Sequence, residues 1–299
     1  MQETAAGSIH YKIDFLKYRY VWLGISMLYL LIGAIAYGIK GGFRYHIDFT
    51  GGTELRVSFE QPLNIGTVRD VMARKGWKDA IIQSVGASDR DFLIRISDVV
   101  SGIDETVKNT LNEGISTNKA RIEGVQAVGA EVGKDTTKNA IYALLLCLLV
   151  LLMYIALRSE FRFGIGAVAS LVHDVLAVMV FLLLIEEPIS LDVLASVLAI
   201  LGYSLHDTIV IFSRIKENFK KMKGASEYDI ANLSINQTLK RTLLTSFATL
   251  LAVTSILVLG GEKLHGLTIV LFVGIIVGTY SSIYIASPVM LLLKGKSKS

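Results

Sequence analysis

The sequence predicts an α-helical membrane protein with six transmembrane helices and an α+β domain between the first helix and the second. Two observations predict this architecture. Apolar residues make up 52% of the 299 residues, the mean hydropathy is +0.54, and the apolar residues cluster in nearly charge-free stretches of about 20, long enough to cross about 30 Å of hydrocarbon. A polar region of about 100 residues, with the periodicity of strands and helices, separates the first two stretches.

The nearly charge-free stretches define the predicted membrane-spanning segments. They cover residues 21–39, 139–157, 163–185, 189–213, 242–260 and 264–293. The last stretch is long for one crossing, so we expect it to tilt or to protrude from the bilayer. The chain then divides into an N-terminal segment (1–20), the first helix (21–39), a polar domain (40–138), helices two to six (139–293) and a tail (294–299).

Basic residues are concentrated on one side of the predicted membrane. The N-terminal segment, the turn after the second span, the loop after the fourth span and the tail are rich in Lys and Arg. The alternate short loops contain only Lys263, with Glu186 and Glu187 nearby. The positive-inside rule places both termini in the cytoplasm and residues 40–138 outside it. Because topology accounts for the basic residues, we expect a lipid bilayer and no nucleic acid as partner.

The polar domain contains a regular succession of patterns. Residues 53–59 alternate between apolar and polar with a period of two, as a half-buried strand does, and apolar residues recur on one helical face within 64–77. Strand patterns follow at 80–86 and 90–97, then a second helix at 103–115 and a last strand at 120–128. This βαββαβ order predicts a ferredoxin-like sandwich, a fold that hosts many functions and identifies none by itself.

One carboxylate lies within the predicted fourth span. The run 201–212 is otherwise apolar, and an aspartate there costs roughly 3 kcal/mol on insertion scales, so we expect Asp207 to have a use such as a proton relay. The alternative is a carboxylate that only contacts headgroups or cytosolic water. We expect Ser204 and Tyr203, one helical turn earlier, to hydrogen-bond its neutral form. The adjacent His206 either belongs to the relay or lines a cavity.

Three further ionisable residues are candidates for the same relay. Arg241, at the start of the fifth span, is either a cationic partner of Asp207 or a side chain that snorkels to the interface from a helix end. His173 and Asp174 are adjacent within the third span, where such groups are expensive. They are either a fixed structural pair or part of the proton pathway.

The sequence contains little evidence for a disulfide, a metal site or a nucleotide-binding site. Cys147 is the only cysteine, so the chain has no internal disulfide and no cysteine-based metal cluster. Residues 129–135 are similar to a phosphate-binding loop, but the glycine spacing is one residue short and Asp135 replaces the Ser or Thr that holds magnesium. We therefore expect no metal, no nucleotide or other cofactor, and no enzymatic activity.

Small residues repeat every four positions in the sixth span. They are Gly274, Gly278, Ser282 and Ala286. A stripe of this kind lets helices approach closely. It serves either packing within the chain or contact with a partner subunit.

Four stretches resemble the SecD/SecF family of protein-export membrane proteins, and in particular its SecF members. The resemblance lies in IDFTGGT at 47–53, LGYSLHDTIVIFSRIKEN at 201–218, SINQTLKRTLLTS at 234–246 and IVGTYSSIYIASP at 276–288. Two positions depart from the family pattern. His206 stands where the pattern has Asn, and Ser213 stands where it has an acidic residue.

The resemblance implies a function and a set of partners. The family belongs to the resistance-nodulation-division superfamily, so it implies an accessory subunit of protein export that uses the proton-motive force. It implies SecD, the SecYEG channel and an unfolded translocating polypeptide as partners, in the bacterial cytoplasmic membrane. Asp207 and Arg241 align with residues of the family motifs.

Two other functions are compatible with the residues. One is a proton-coupled exporter of small molecules or lipids from the same superfamily, although a polar domain of about 100 residues is small for a substrate-binding head. The other is a non-conducting scaffold for another membrane protein, against which the cost of two intramembrane aspartates argues.

Overall fold

The computed structural model describes residues 11–86, 88–100, 102–158 and 160–293. Six of the described helices are long and apolar enough to cross a membrane, which confirms the predicted number. In chain order the helices are α1 (Arg19–Lys40), α2 (Ile47–Thr50), α3 (Ile65–Arg74), α4 (Ile103–Gly114), α5 (Ala130–Arg158), α6 (Phe161–Ile185), α7 (Leu191–Lys221), α8 (Glu227–Leu259), α9 (His265–Ser281) and α10 (Ser287–Leu292). The tail 294–299 and the first ten residues of the N-terminal segment lie outside the described residues.

The chain divides into two compact units. We call the first the membrane unit, which comprises Met1–Arg44, Leu144–Glu187 and Asp192–Ser299. We call the second the head unit, which comprises Tyr45–Ala143 and Pro188–Leu191. The head unit thus includes the short connection before α7 as well as the polar region between α1 and α5.

The core of the membrane unit lies among α6, α7 and the last spanning helix. Phe163, Leu201 and Ile215 are fully buried there, whereas α1 and α5 expose most of their side chains. The last helix contains a π-helical segment, Ser282–Ala286, before α10. Pro288 follows at the start of α10, and because proline lacks an N–H and clashes with the carbonyl four residues earlier, the widened turn accommodates it.

Helices α7 and α8 are longer than the apolar stretches that predicted them. Helix α7 continues to Lys221 and α8 begins at Glu227, so most of the basic residues expected in a loop lie on the two helices. Hydropathy marks the part of a helix that lies in hydrocarbon. It does not mark where the backbone hydrogen bonds end.

The head unit contains a small antiparallel sheet with helices α3 and α4 packed on it. Its strands are β1 (Gly52–Phe59), β2 (Ile81–Val85), β3 (Asp91–Ile96) and β4 (Ala120–Val128), in the spatial order β2-β3-β1-β4. Leu55 of β1 faces Ile94 of β3, and both are fully buried. Alternate residues of β1 are buried in this way, as the period of two predicts.

Candidate functional site

Asp207 is a buried carboxylate that lacks a full set of hydrogen bonds. It lies on α7 with 3% of its surface exposed, and its Oδ2 has no hydrogen-bond partner among the described residues. The hydroxyls of Thr208 on α7 and Thr242 on α8 are also buried and without a partner there. Because unsatisfied buried polar atoms are rare and costly, these three atoms need a functional or structural reason.

The two basic residues that the sequence makes candidates for the same relay as Asp207 both lie on the surface of the chain. Arg241 and His206 are both exposed, and within the described residues neither forms an ion pair with Asp207. Helix α8 begins at Glu227, so Arg241 lies well inside a helix. The prediction that it lies at a helix end is wrong for that reason.

Asp174 is buried too, but both of its oxygens have partners. The side chain is fully buried, and that of His173 is 8% exposed. The hydroxyl of Ser204 on α7 donates to Asp174 Oδ2, and Nδ1 of His173 lies 3.2 Å from Asp174 Oδ1. The expectation that Ser204 bonds Asp207 is therefore wrong, because its side chain points to the carboxylate of α6. Tyr203, its other expected partner, donates instead to Ser246 Oγ on α8 at 3.1 Å.

His173 continues a hydrogen-bonded chain across the membrane unit. Its Nε2 lies 3.2 Å from Ser26 Oγ of α1, which lies 2.9 Å from the hydroxyl of Tyr280 on α9. Tyr280 donates to the carbonyl of Trp22 at 2.9 Å. Ser26 and Tyr280 cannot be recognised from the sequence, because a single hydroxyl in an apolar helix is common and its partner lies on a distant segment.

The direction of this chain determines where a proton must lie. Since Tyr280 uses its only proton on Trp22, the hydroxyl of Ser26 donates to Tyr280 and His173 Nε2 donates to Ser26. His173 Nδ1 then either donates to an ionised Asp174, with the ring charged, or accepts from a protonated Asp174. In both cases the His173–Asp174 pair is neutral overall, as burial in a membrane requires.

The stripe of small residues packs within the chain. A Cβ at Gly274 would lie 2.0 Å from Ile200 Cδ1, and one at Gly278 would lie 3.0 Å from Ser204 Cβ, both on α7. Ser282 and Ala286 are fully buried. Close approach of α9 to α7 thus holds Ser204 against Asp174. No group of three His, Cys, Asp or Glu side chains in the described ranges is placed to hold a metal ion.

Two family models match the chain. The family described as protein export membrane protein SecD/SecF, C-terminal, matches residues 107–296, and the SecD/SecF GG motif matches residues 41–63. A protein translocase subunit SecF from Thermodesulfovibrio yellowstonii is 39% identical over 285 residues, which cover 94% of each chain. One from Pseudomonas aeruginosa is 40% identical over 281 residues, 94% of this chain and 91% of the relative.

Two solved structures are similar in fold. The crystal structure of SecDF, a translocon-associated membrane protein from Thermus thermophilus, matches with a TM-score of 0.86 and 33% identity over 95% of this chain. SecDF in its super-membrane-facing form matches with a TM-score of 0.67 and 34% identity. This chain spans 39% of the length of those SecDF chains.

Proposed function

Because the chain belongs to the SecD/SecF family of protein-export membrane proteins, we propose that it is a SecF-type subunit that works with SecD to drive or complete protein translocation with the proton-motive force. Similarity to curated SecF translocase subunits over almost the whole chain supports this role. The match to part of a SecDF chain supports SecD as the partner. The role is one of transport, with SecYEG as the channel, an unfolded polypeptide as cargo, and no enzymatic step or cofactor of its own.

The unpartnered Oδ2 of Asp207 is the observation that carries the proposal. A carboxyl that is buried without a fixed partner changes its charge as the environment around it changes. Gaining or losing a proton there alters the free energy of placing α7 in the membrane by several kcal/mol. Asp207 is accordingly the proton-carrying residue in this proposal.

Arg241 and His206 act in this proposal from the exposed surface of the chain. Neither contacts Asp207 as an ion pair in the described structure, and both are free to meet a neighbouring SecD subunit. Arg241 then compensates the ionised form of Asp207 when the helices of the two subunits are closely apposed. A guanidinium offers five fixed donors for such an exchange of anionic partners.

Asp174 has the role of an anchor in this proposal. Its two oxygens are bound by Ser204 and His173, and the pair remains neutral whichever group holds the proton. It ties α6 to α7 one helical turn before Asp207. The structural alternative for His173 and Asp174 is thus the one we adopt.

The proposal includes an orientation in the bacterial cytoplasmic membrane. The distribution of basic residues supports cytoplasmic termini and an extracytoplasmic region at 40–138. The order of strands and helices in the head unit supports a ferredoxin-like sandwich there. The proposed organisation is then an N-terminal segment to residue 20, a membrane crossing at 21–39 within α1, an extracytoplasmic region at 40–138 that contains the sandwich and the start of α5, membrane crossings within 139–293, and a cytoplasmic tail.

The test of the function is the substitution Asp207→Asn, with Asp192→Asn at the exposed start of the same helix as the matched control. Inverted membrane vesicles at equal subunit levels are assayed for export of a precursor protein with and without a proton gradient. We expect Asp207→Asn to insert, bind SecD and lose the stimulation by the gradient, whereas Asp192→Asn keeps it. Normal stimulation in Asp207→Asn would refute the assignment.

A further inference from the structure

The proton-carrying helix begins at a segment of the head unit that the proposed mechanism does not use. We propose that residues 45–52 are a rigid coupling segment that fixes the start of α7 and so positions Asp207. The role of Asp207 in this inference rests on the proposed function, whereas the contacts that form the coupling segment do not. Asp48 is a positioning residue in this account.

The first attachment of the coupling segment is to the start of α7. Asp48 Oδ2 accepts the backbone N–H of Leu191, the first residue of α7, at 3.1 Å. The N–H of His46 donates to the carbonyl of Ile189 at 2.9 Å, and Tyr45 and Ile189 form a parallel β-bridge. The first N–H groups of a helix have no partner within the helix, and a carboxylate there also interacts favourably with the helix dipole.

The second attachment is to the start of α5. Gly51 has a φ of +73°, and a Cβ added to it would lie 2.8 Å from Ala130 Cα. A Cβ at Gly133 would lie 2.8 Å from Gly51 N and 2.9 Å from Phe49 O. Only glycine at these positions lets the two backbones come this close. Gly51 is one of the glycines of the stretch IDFTGGT, and this contact explains why the position requires glycine.

The third attachment is to the sheet, through four charged side chains. His46 Nδ1 lies 3.0 Å from Asp48 Oδ2 and its Nε2 lies 3.0 Å from Glu54 Oε2 of β1. Arg95 Nε of β3 donates to Glu54 Oε2 at 2.6 Å. Burial alone would lower the pKa of His46, but its hydrogen bonds to Asp48 and Glu54 outweigh burial and raise this pKa to about 9. At neutral pH the cluster therefore holds two positive and two negative charges.

These attachments link the sheet to two membrane helices through one short segment. The contacts to α7 and α5 are made by backbone atoms or by the short side chain of Asp48, and the contact to the sheet is made by a cluster of four charged side chains. A displacement of β1 and β3 therefore displaces the first turn of α7 by a similar amount. Asp207 follows Leu191 on the same helix, α7, and a helix transmits displacement along its axis. The segment thus provides a route between the head unit and the proton-carrying residue.

The test of the contact uses Asp48→Ala, with Asp104→Ala at the start of head helix α4 as the matched control. Hydrogen exchange of the whole subunit in nanodiscs is followed for peptides that cover the first turn of α7. Loss of a capping carboxylate accelerates exchange there by about fivefold, while the control leaves it unchanged. Asp48→Asn retains an acceptor oxygen and keeps most of the protection. Equal exchange in Asp48→Ala and wild type would overturn the inference.

The test of positioning measures Asp207 itself. A hydrophobic carbodiimide reacts with protonated carboxyls, and mass spectrometry gives the extent of reaction at Asp207 as a function of pH. We expect the pH profile to shift in Asp48→Ala and to remain unchanged in Asp104→Ala. An unshifted profile means that Asp48 supports only the fold, and overturns the inference. These readouts do not need export, so they remain informative if Asp207→Asn exports normally.

The rigidity of the segment is tested by a reversible cross-link. Tyr45→Cys and Ile189→Cys, in a Cys147→Ala background, place two thiols on bridge partners at a spacing that a disulfide accepts. A rigid coupling segment stays closed throughout the transport cycle. Export therefore continues in the oxidised protein at the level of the reduced protein. Loss of export on oxidation that reverses with dithiothreitol would show that the segment opens, contrary to the inference.

Discussion

The charge on His46 makes the stability of the head unit depend on pH above neutrality. The pKa of His46 is raised from 6.5 to about 9 because, although burial opposes the charge, Asp48 and Glu54 hold it more strongly. Folding therefore takes up a proton between these two values. The stabilisation is complete below pH 6.5 and is lost as the pH rises through 9.

The magnitude follows from the two pKa values. A shift of this size corresponds to at most about 3.4 kcal/mol, and solvent screening of a partly accessible cluster reduces this to about 1–2 kcal/mol. Asp48 and Glu54 titrate on the acid side, because their pKa values are lowered: His46 lowers that of Asp48, and for Glu54 hydrogen bonds from His46 and Arg95 outweigh burial. The loss of stability at alkaline pH therefore comes from the deprotonation of His46.

Trp77 provides the assay. It is one of two tryptophans and packs against the core of the head unit, so in a Trp22→Phe background it is the only tryptophan, and excitation at wavelengths that tyrosine does not absorb reports on that unit. Urea unfolding in detergent should give a free energy of unfolding that falls by about 1–2 kcal/mol between pH 6.5 and 9.5. His46→Gln should remove the slope. A flat profile in the wild type, or the same slope in His46→Gln, would contradict the reasoning.

Three further predictions concern packing, pairing and topology. Gly274→Ala should lower the free energy of unfolding of the membrane unit by about 1–3 kcal/mol, because the added Cβ would lie 2.0 Å from Ile200 Cδ1. In the double variant with Ile200→Ala the decrease should be smaller than the sum of the decreases in the two single variants. Arg241→Lys should lose proton-stimulated export as Arg241→Met does, and full activity in the lysine variant would leave only a topological role. A cysteine at Ser88 in a cysteine-free background should react with a membrane-impermeant maleimide in intact cells, and protection there combined with labelling in inverted vesicles would reverse the proposed orientation.

The sequence predicts those parts of the fold that depend on local pattern. Charge-free stretches predict the spanning helices because the hydrocarbon imposes a minimum length on each of them. The period of two along β1 predicts its buried face, since Leu55 and Val57 are fully buried and Arg56 between them is not. These features require only the identity of neighbouring residues.

Features that depend on distant segments could not be predicted in this way. Hydropathy assigns Ile189 to a membrane span, whereas the structure places it beside Tyr45 in the head unit. The partner of the Ser204 hydroxyl, Asp174, and the partner of the His46 N–H, Ile189, lie on distant segments. The side of a helix that a neighbour occupies is not encoded in its own periodicity. The stretch IDFTGGT at 47–53 indicates the family, but the contacts of Gly51 with α5 require the folded chain.

The contrast between the two buried aspartates indicates where the site is incomplete. Asp174 and Asp207 are both buried on neighbouring helices, but only Asp174 has a hydrogen-bond partner at each oxygen among the described residues, whereas Oδ2 of Asp207 has none. Ser204 and His173 show that this fold can place hydrogen-bonding side chains around a buried carboxylate. The missing partner of Asp207 is therefore not a general consequence of burial between these helices. The exposed positions of Arg241 and His206 on α8 and α7 provide cations on the surface of the chain instead. A carboxyl held by fixed hydrogen-bond partners does not readily change its protonation, whereas one with an unpartnered buried oxygen responds to changes in its surroundings. The arrangement therefore supports the proposal that Asp207, rather than Asp174, is the proton-carrying residue.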